Sequence, residues 1–309
     1  GTGGVAGLLC AHGIAVAPGS QDAYIAGSYG GSIARFRRNG STWNFVQTIQ
    51  GGDGVTGLSG IRDLAVTSDG KQLIGVAATA NTAVVFDRDE ITGALSFRQA
   101  LSLGSNQRPM SLALSPDDAH VYVVAQNSST VHVLARVRDD SPAAGSLRRI
   151  GSITNGSGGV SKMQWPRDVA VSANGEHVYV AAESGDSLVA FTRYGNAGNS
   201  NFGLLEPLET RTDEVDGVRG IASPYAVMVS PDGENIYIAG FDSDAIASFS
   251  IGGASTCSAS GTGNLIDTVR IRAGGAVNYT INSTIRPDAE GTLTNTVAVN
   301  LPAAGSTAA

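Results

Sequence analysis

An all-β chain, a five-bladed β-propeller followed by a short three-strand β segment, is what this sequence predicts. Three observations predict it. One pattern recurs five times, turn residues punctuate each copy at the same places, and the composition favours short strands. Of 309 residues, 41 are Gly, 3 are Met and only 6% are aromatic, which suits many tight turns better than long helices.

The copies align without internal gaps: "IAVAPGSQDAYIAGSYGGSIARF", "LAVTSDGKQLIGVAATANTAVVF", "LALSPDDAHVYVVAQNSSTVHVL", "VAVSANGEHVYVAAESGDSLVAF" and "VMVSPDGENIYIAGFDSDAIASF". One column holds Tyr24, Ile74, Tyr122, Tyr179 and Tyr237. A second, 12 residues on, holds Phe36, Phe86, Leu134, Phe191 and Phe249. Successive copies lie 50, 48, 57 and 58 residues apart, so length differences fall in the connections. A fixed period of this size is the mark of a repeat architecture.

Each copy opens on an alternating apolar run, the innermost strand. A turn follows, with Asp69-Gly70, Asn174-Gly175 and Asp232-Gly233 supplying the positive φ of a two-residue hairpin. A second run such as "HVYVAA", a polar turn and a third run such as "SLVAF" come next. The fourth runs are "WNFVQTI", "LSFRQAL", "LRRIGSI" and "GLLEPL"; none follows the fifth copy. Four antiparallel strands repeated in this way make propeller blades. The blades span about 7–56, 57–106, 107–164, 165–221 and 222–251, the last lacking its outer strand, within a propeller of residues 1–251. In a closed ring, blades one and five are neighbours.

The pattern "SPDGENIYIAG" with "DSDAIASF" resembles the YVTN-type repeats of the lactonase-like β-propeller family, over residues 7–251. The matching positions are turn and core residues. The resemblance therefore implies the fold, and no catalytic residue carries over. From Cys257 the pattern changes. "LIDTVRIR", "GAVNYTINSTI" and "TLTNTVAVN" read as three strands within residues 252–309. With "AGGAVNYT" and "GTLTNTVAV" this tail resembles the C-terminal half of an Ig-like conserved-repeat domain of bacterial surface proteins, a partial β-sandwich.

Net charge is −7, and no Lys/Arg block offers a nucleic-acid footprint. No apolar run reaches the ~20 residues of a membrane-spanning helix, and no signal peptide is visible. No His/Cys cluster has metal-ligand spacing, so no metal or cofactor is expected. Cys10 sits just before the inner strand of blade one and Cys257 just after the third strand of blade five. A disulfide between them would staple the ring and place the protein outside the reducing cytosol. Two unpaired thiols, or pairing with another chain, fit equally.

An incomplete blade beside an incomplete sandwich predicts an extracellular or cell-surface structural protein. Head-to-tail homopolymers would form by β-strand complementation. The strand positions Ile246, Phe249, Ile251, Val269, Ile271, Tyr279, Ile281, Val297 and Val299 would meet at that contact. Docking of "LIDTVRIR" on blade five of its own chain is an alternative. A second reading is a lactonase-like hydrolase of a sugar lactone. A third is a surface module for a glycan or protein ligand. For a ligand, the candidates are Arg62-Asp63 and Arg167-Asp168, which open innermost strands at aligned positions; Gly13, Ser111 and Ala226 fill the Asp column elsewhere. An Asp satisfying backbone groups at the strand start is the simpler account of that column. Arg38, Arg88, Arg136 and Arg193 recur two residues beyond the third-strand column and read as bridges, replaced by Ile251 in blade five. His120 and His177 read as solvated strand ends.

Overall fold

The computed structural model describes residues 4–251, Ser20, Asp139 and Asp140 apart. They form five antiparallel sheets, one per repeat. Blade 1 comprises β1 (Ala11–Val16), β2 (Asp22–Gly27), β3 (Ser32–Asn39) and β4 (Thr42–Gln50). Blade 2 comprises β5 (Ile61–Val66), β6 (Gln72–Ala77), β7 (Thr82–Arg88) and β8 (Leu95–Ser102). Blade 3 comprises β9 (Pro109–Leu114), β10 (His120–Ala125), β11 (Thr130–Arg136) and β12 (Leu147–Thr154). Blade 4 comprises β13 (Pro166–Val171), β14 (His177–Ala182), β15 (Ser187–Arg193) and β16 (Leu205–Thr212). Among the described residues blade 5 comprises β17 (Pro224–Val229), β18 (Asn235–Gly240) and β19 (Ala245–Ser250). The chain divides into units Gly1–Gly252 and Gly253–Ala309. Cys257 and the tail positions Val269, Ile271, Tyr279, Ile281, Val297 and Val299 lie outside the described residues.

The core lies between blades. Side chains alternate across a strand, so a strand with a blade on either side is apolar on both faces, as β10 "HVYVVA" is beyond His120, and wholly buried. Val121 and Val123 pack with Ile74, Val76 and Val85 of blade 2. Tyr122 and Val124 pack with Val178, Val180 and Phe191 of blade 4. Similar clusters join blades 1 and 2 and blades 4 and 5. Each fully buried aliphatic side chain contributes about 1.5–3 kcal/mol. The inner strands β1, β5, β9, β13 and β17 pack in that order. Blades 1 and 5 share no such cluster among the described residues: Ile14 (61%) and Val16 (54%) are exposed on one, Met228 (57%) and Ile246 (76%) on the other. Phe249 and Ile251 instead turn inward, against Tyr179 and Leu188 of blade 4.

Polar joints supplement the apolar layers. Arg88 of blade 2 donates from Nε to the Tyr24 hydroxyl (2.8 Å) and from Nη2 to Asp22 (2.9 Å) in blade 1. Arg193 of blade 4 does the same with Tyr122 (2.8 Å) and Asp117 (2.8 Å) in blade 3. Where blade 2 has Ile74, Arg136 bonds Gln72 Oε1 instead (2.7 Å). Arg38 is exposed and bonds only its own Gly40 carbonyl (2.8 Å) among the described partners.

Two expectations are corrected. His120 is buried rather than solvated, because the β15–β16 loop of blade 4 covers it, with Phe202 edge-on at 4.5 Å. Asp22 and Gln72 share its column and are buried too. His177 is only half-buried, since among the described residues blade 5 has no fourth strand and no loop leading to one. The first hairpins are longer than two residues. Thr67 N donates to Gln72 O (3.0 Å), enclosing four residues, and within that loop only Gly70 takes positive φ (71°). The Asp69 carboxylate closes the turn by accepting from Thr67 Oγ1 (2.6 Å) and Lys71 N (3.0 Å).

Candidate functional site at the channel mouth

The five innermost strands begin alike. Cys10, Gly60, Arg108, Trp165 and Ser223 all have φ between 48° and 73°, a left-handed conformation rare outside glycine. Their carbonyls accept from Ser28, Ala78, Gln126, Glu183 and Phe241 in the loop after the second strand, which holds each entry in place. One strand residue follows, then a β-bulge, and a bulge re-aims the extra residue. In β5 the register shifts between Ile61 and Asp63, leaving Arg62 unpaired. The same shift leaves Met110, Arg167 and Tyr225 as extra residues, and β1 is shifted across His12 and Gly13.

The bulge gathers positive charge at one end of the channel. Arg62 lies close enough to Arg108 and Arg167 that, after burial, these two cations pull its guanidinium below its ordinary value. Among the described residues neither Arg62 nor Arg108 is paired with a carboxylate. Arg167 meets Glu183 at 3.3 Å and lies 3.9 Å over the Tyr225 ring. Glu183 also accepts from Gln126 (3.1 Å). Burial first, then Arg62 and Arg167, lower the pKa of His12 below 6.5. His12 is therefore a neutral imidazole at pH 7, with Cys10 Sγ 3.6 Å from Nε2. Cys10 is exposed and has no disulfide partner among the described residues. Beside Arg108 a polar cleft of about 200 Å³ is lined by Thr79, Asn81, Asn106 and Asn127.

The next tier holds the Asp column. Asp63 accepts from the amides of Leu64 (2.9 Å) and, one blade on, Leu112 (3.0 Å). Asp168 accepts from Val169 (2.9 Å) and Val227 of blade 5 (2.9 Å). Ser111 sits between the two carboxyls. Both aspartates tie blades together, while Arg62 and Arg167 face the mouth. Gly13 makes room: a Cβ there would lie 2.8 Å from Asp63 Oδ1. Sequence comparison among the copies singled out Arg62 and Arg167 but missed Arg108, Glu183, Tyr225 and the role of His12. The signal was present in Pro109, Pro166 and Pro224, since proline in a sheet marks a strand's first residue or a bulge. Among the described residues no three His, Cys, Asp or Glu side chains converge as a metal site would require.

Similarity to known proteins bears on this site. The chain is 28% identical over 201 residues to an uncharacterized Staphylococcus epidermidis protein, covering 61% of this chain and 53% of that one. Among solved structures it superimposes on a candidate 6-phosphogluconolactonase of Bacteroides uniformis, with TM-score 0.61 and 18% identity, covering 76% of this chain and 65% of the other. The periplasmic gluconolactonase PpgL of Pseudomonas aeruginosa gives TM-score 0.57 and 16% identity, covering 74% and 64%. The chain thus spans about half the length of the curated relatives it matches. A family model described as "Lactonase, 7-bladed beta-propeller" matches residues 12–161 and 154–262. These findings overturn the reading of a strand-exchanging filament, because the relatives are lactonase-like propellers and Phe249 and Ile251 are committed to the core. The chain belongs to the lactonase family of β-propellers.

Proposed function

We propose that the channel mouth hydrolyses a sugar lactone, and that the lactone carries an anionic group. The observation that supports it best is the placing of Arg62 and Arg167 beside a neutral His12, with Arg108 in turn close to Arg62. Preorganised cations aimed at developing charge are the usual means of stabilising an acyl-transfer intermediate. His12 takes a proton from water, and the water oxygen bonds to the lactone carbonyl carbon. Arg62 and Arg167 stabilise the resulting oxyanion. When the ring C–O bond breaks, the imidazolium returns the proton to the leaving alkoxide, giving a hydroxy acid. Arg108, beside the asparagine-lined cleft, binds the substrate's own anion.

The test compares gluconolactone with its 6-phosphate ester against spontaneous hydrolysis. Turnover should favour the phosphorylated lactone. His12→Ala should lower kcat/KM about 10²–10⁴-fold, as loss of a general base does, and Arg108→Ala should act mainly on KM. Hydrolysis at the uncatalysed rate with both substrates would refute the reading. An Ig-like identity for residues 257–300 rests on "AGGAVNYT" and "GTLTNTVAV" alone and is proposed on that basis.

A further inference from the structure

The second tier of the hub has a hydrogen count that does not close with both aspartates ionised. Ser111 Oγ lies 2.9 Å from Asp63 Oδ2 and 2.7 Å from Asp168 Oδ1. A serine hydroxyl carries one hydrogen, so it donates to one carboxyl at a time. The other donors are backbone amides with fixed directions: Leu64 and Leu112 to Asp63, Val169 and Val227 to Asp168. With two carboxylates, one contact would set a lone pair of buried Ser111 against an anionic oxygen, with nothing between them. A carboxylic acid O–H at that contact supplies the missing hydrogen.

We propose that Asp63, Ser111 and Asp168 hold one proton between their two carboxyl groups at neutral pH. The neutral acid donates to Ser111 Oγ, and Ser111 donates to the remaining carboxylate. The surrounding groups leave the arrangement intact. His12 on β1, Arg62 on β5, Arg108 ahead of β9, Arg167 on β13 and Tyr225 on β17 occupy this end of the hub. Among the described residues none forms an ion pair or hydrogen bond with either carboxyl, and Arg167 is engaged by Glu183. Burial raises both aspartates above the ordinary carboxylate range, and the charge of Asp63 raises Asp168 further. The protons of such a pair belong to the pair rather than to one member.

The bonds of this proton site span blades 2 to 5, and its aspartates directly follow Arg62 and Arg167 in sequence. Loss of the proton leaves two anions competing for one hydroxyl hydrogen, which loosens the tier carrying the mouth arginines. The site is thus a pH-sensitive latch under the channel mouth.

Infrared spectroscopy of protein carrying carbon-isotope-labelled aspartate tests this without any assay of lactone hydrolysis, so the two proposals fail independently. A protonated-acid carbonyl band equivalent to one aspartate is expected at neutral pH. Asp63→Asn and Asp168→Asn should each abolish it, because the surviving carboxylate can then take the Ser111 hydrogen alone. Absence of the band from the unsubstituted protein would overturn the proposal, as would a band that survives either substitution. Ser111→Ala provides a check should an Asn variant fail to fold: the band must shift when its hydrogen-bond partner is removed, and an unshifted band is equally fatal.

Discussion

Gly203 has no side chain because His120 occupies the space a Cβ would take. Gly93 faces Asp22 and Gly145 faces Gln72 in the same way, each at positive φ. Positive φ alone costs a non-glycine residue about 1–2 kcal/mol, and overpacking adds a further ~1–3 kcal/mol. Gly203→Ala should therefore lower the urea midpoint well beyond the effect of Gly233→Ala, where a Cβ would meet only Ala173 at 3.5 Å. Equal midpoints would show that the loop yields. The glycines were visible in the sequence, but their partners were not. Gln72, His120 and His177 share a column of mixed chemistry, which reads as solvent exposure when each copy is considered alone. A loop from the neighbouring blade covers Gln72 and His120, and no property within one repeat reveals it. The Gly13–Asp63–Ser111–Asp168–Ala226 column was more legible. Small residues flank each acid, and that alternation is what the hub requires.

At the scale of elements, the recurring arginine after the third strand is the joint between sheets. Arg88 is buried with Asp22, which it shares with Arg35. Removing one partner of a buried ion pair typically costs about 3–5 kcal/mol. Arg88→Leu should approach that figure in chemical denaturation, whereas Arg38→Leu, at the aligned but exposed position, should stay within about 0.5 kcal/mol. Similar losses for both would show that the interblade bonds do not carry the difference. Strand number and order within the described repeats followed directly from the period. The bulge did not. A one-residue register shift leaves the apolar alternation on both sides readable, so Arg62 and Arg167 looked like ordinary strand residues beside their aspartates.

For the whole molecule, buried histidines set the acid limit. Burial, then Arg193, lowers the pKa of His120 to about 4, and burial, then Arg149, lowers that of His132 to about 4. The unfolded chain takes up these protons near pH 6.5, so between 6.5 and 4 it binds more protons than the fold. Stability therefore falls as pH falls through that window. Asp117 continues the trend. Although burial opposes it, the Ser115 hydroxyl, the Arg193 guanidinium and the Ala119 amide hold its pKa at about 2, so its contribution is lost from 3.8 downward. The Asp63–Asp168 pair has the opposite sign, losing stability as pH rises above 3.8. Urea unfolding across this range should show a decline below pH 6.5 that flattens in His132→Gln. An unchanged slope in that variant would remove His132 from the account.

The arginine joint also has a consequence for ancestry. At each of the three joints from blade 1 to blade 4, the earlier blade contributes a tyrosine or glutamine and the later one an arginine. A gene duplication that copies one whole repeat therefore copies one whole joint, and a deletion removes one, with no buried charge orphaned between the survivors. Blade number can drift by unequal crossing-over while every remaining interface stays chemically complete, so a lineage can vary its ring size without first redesigning its core.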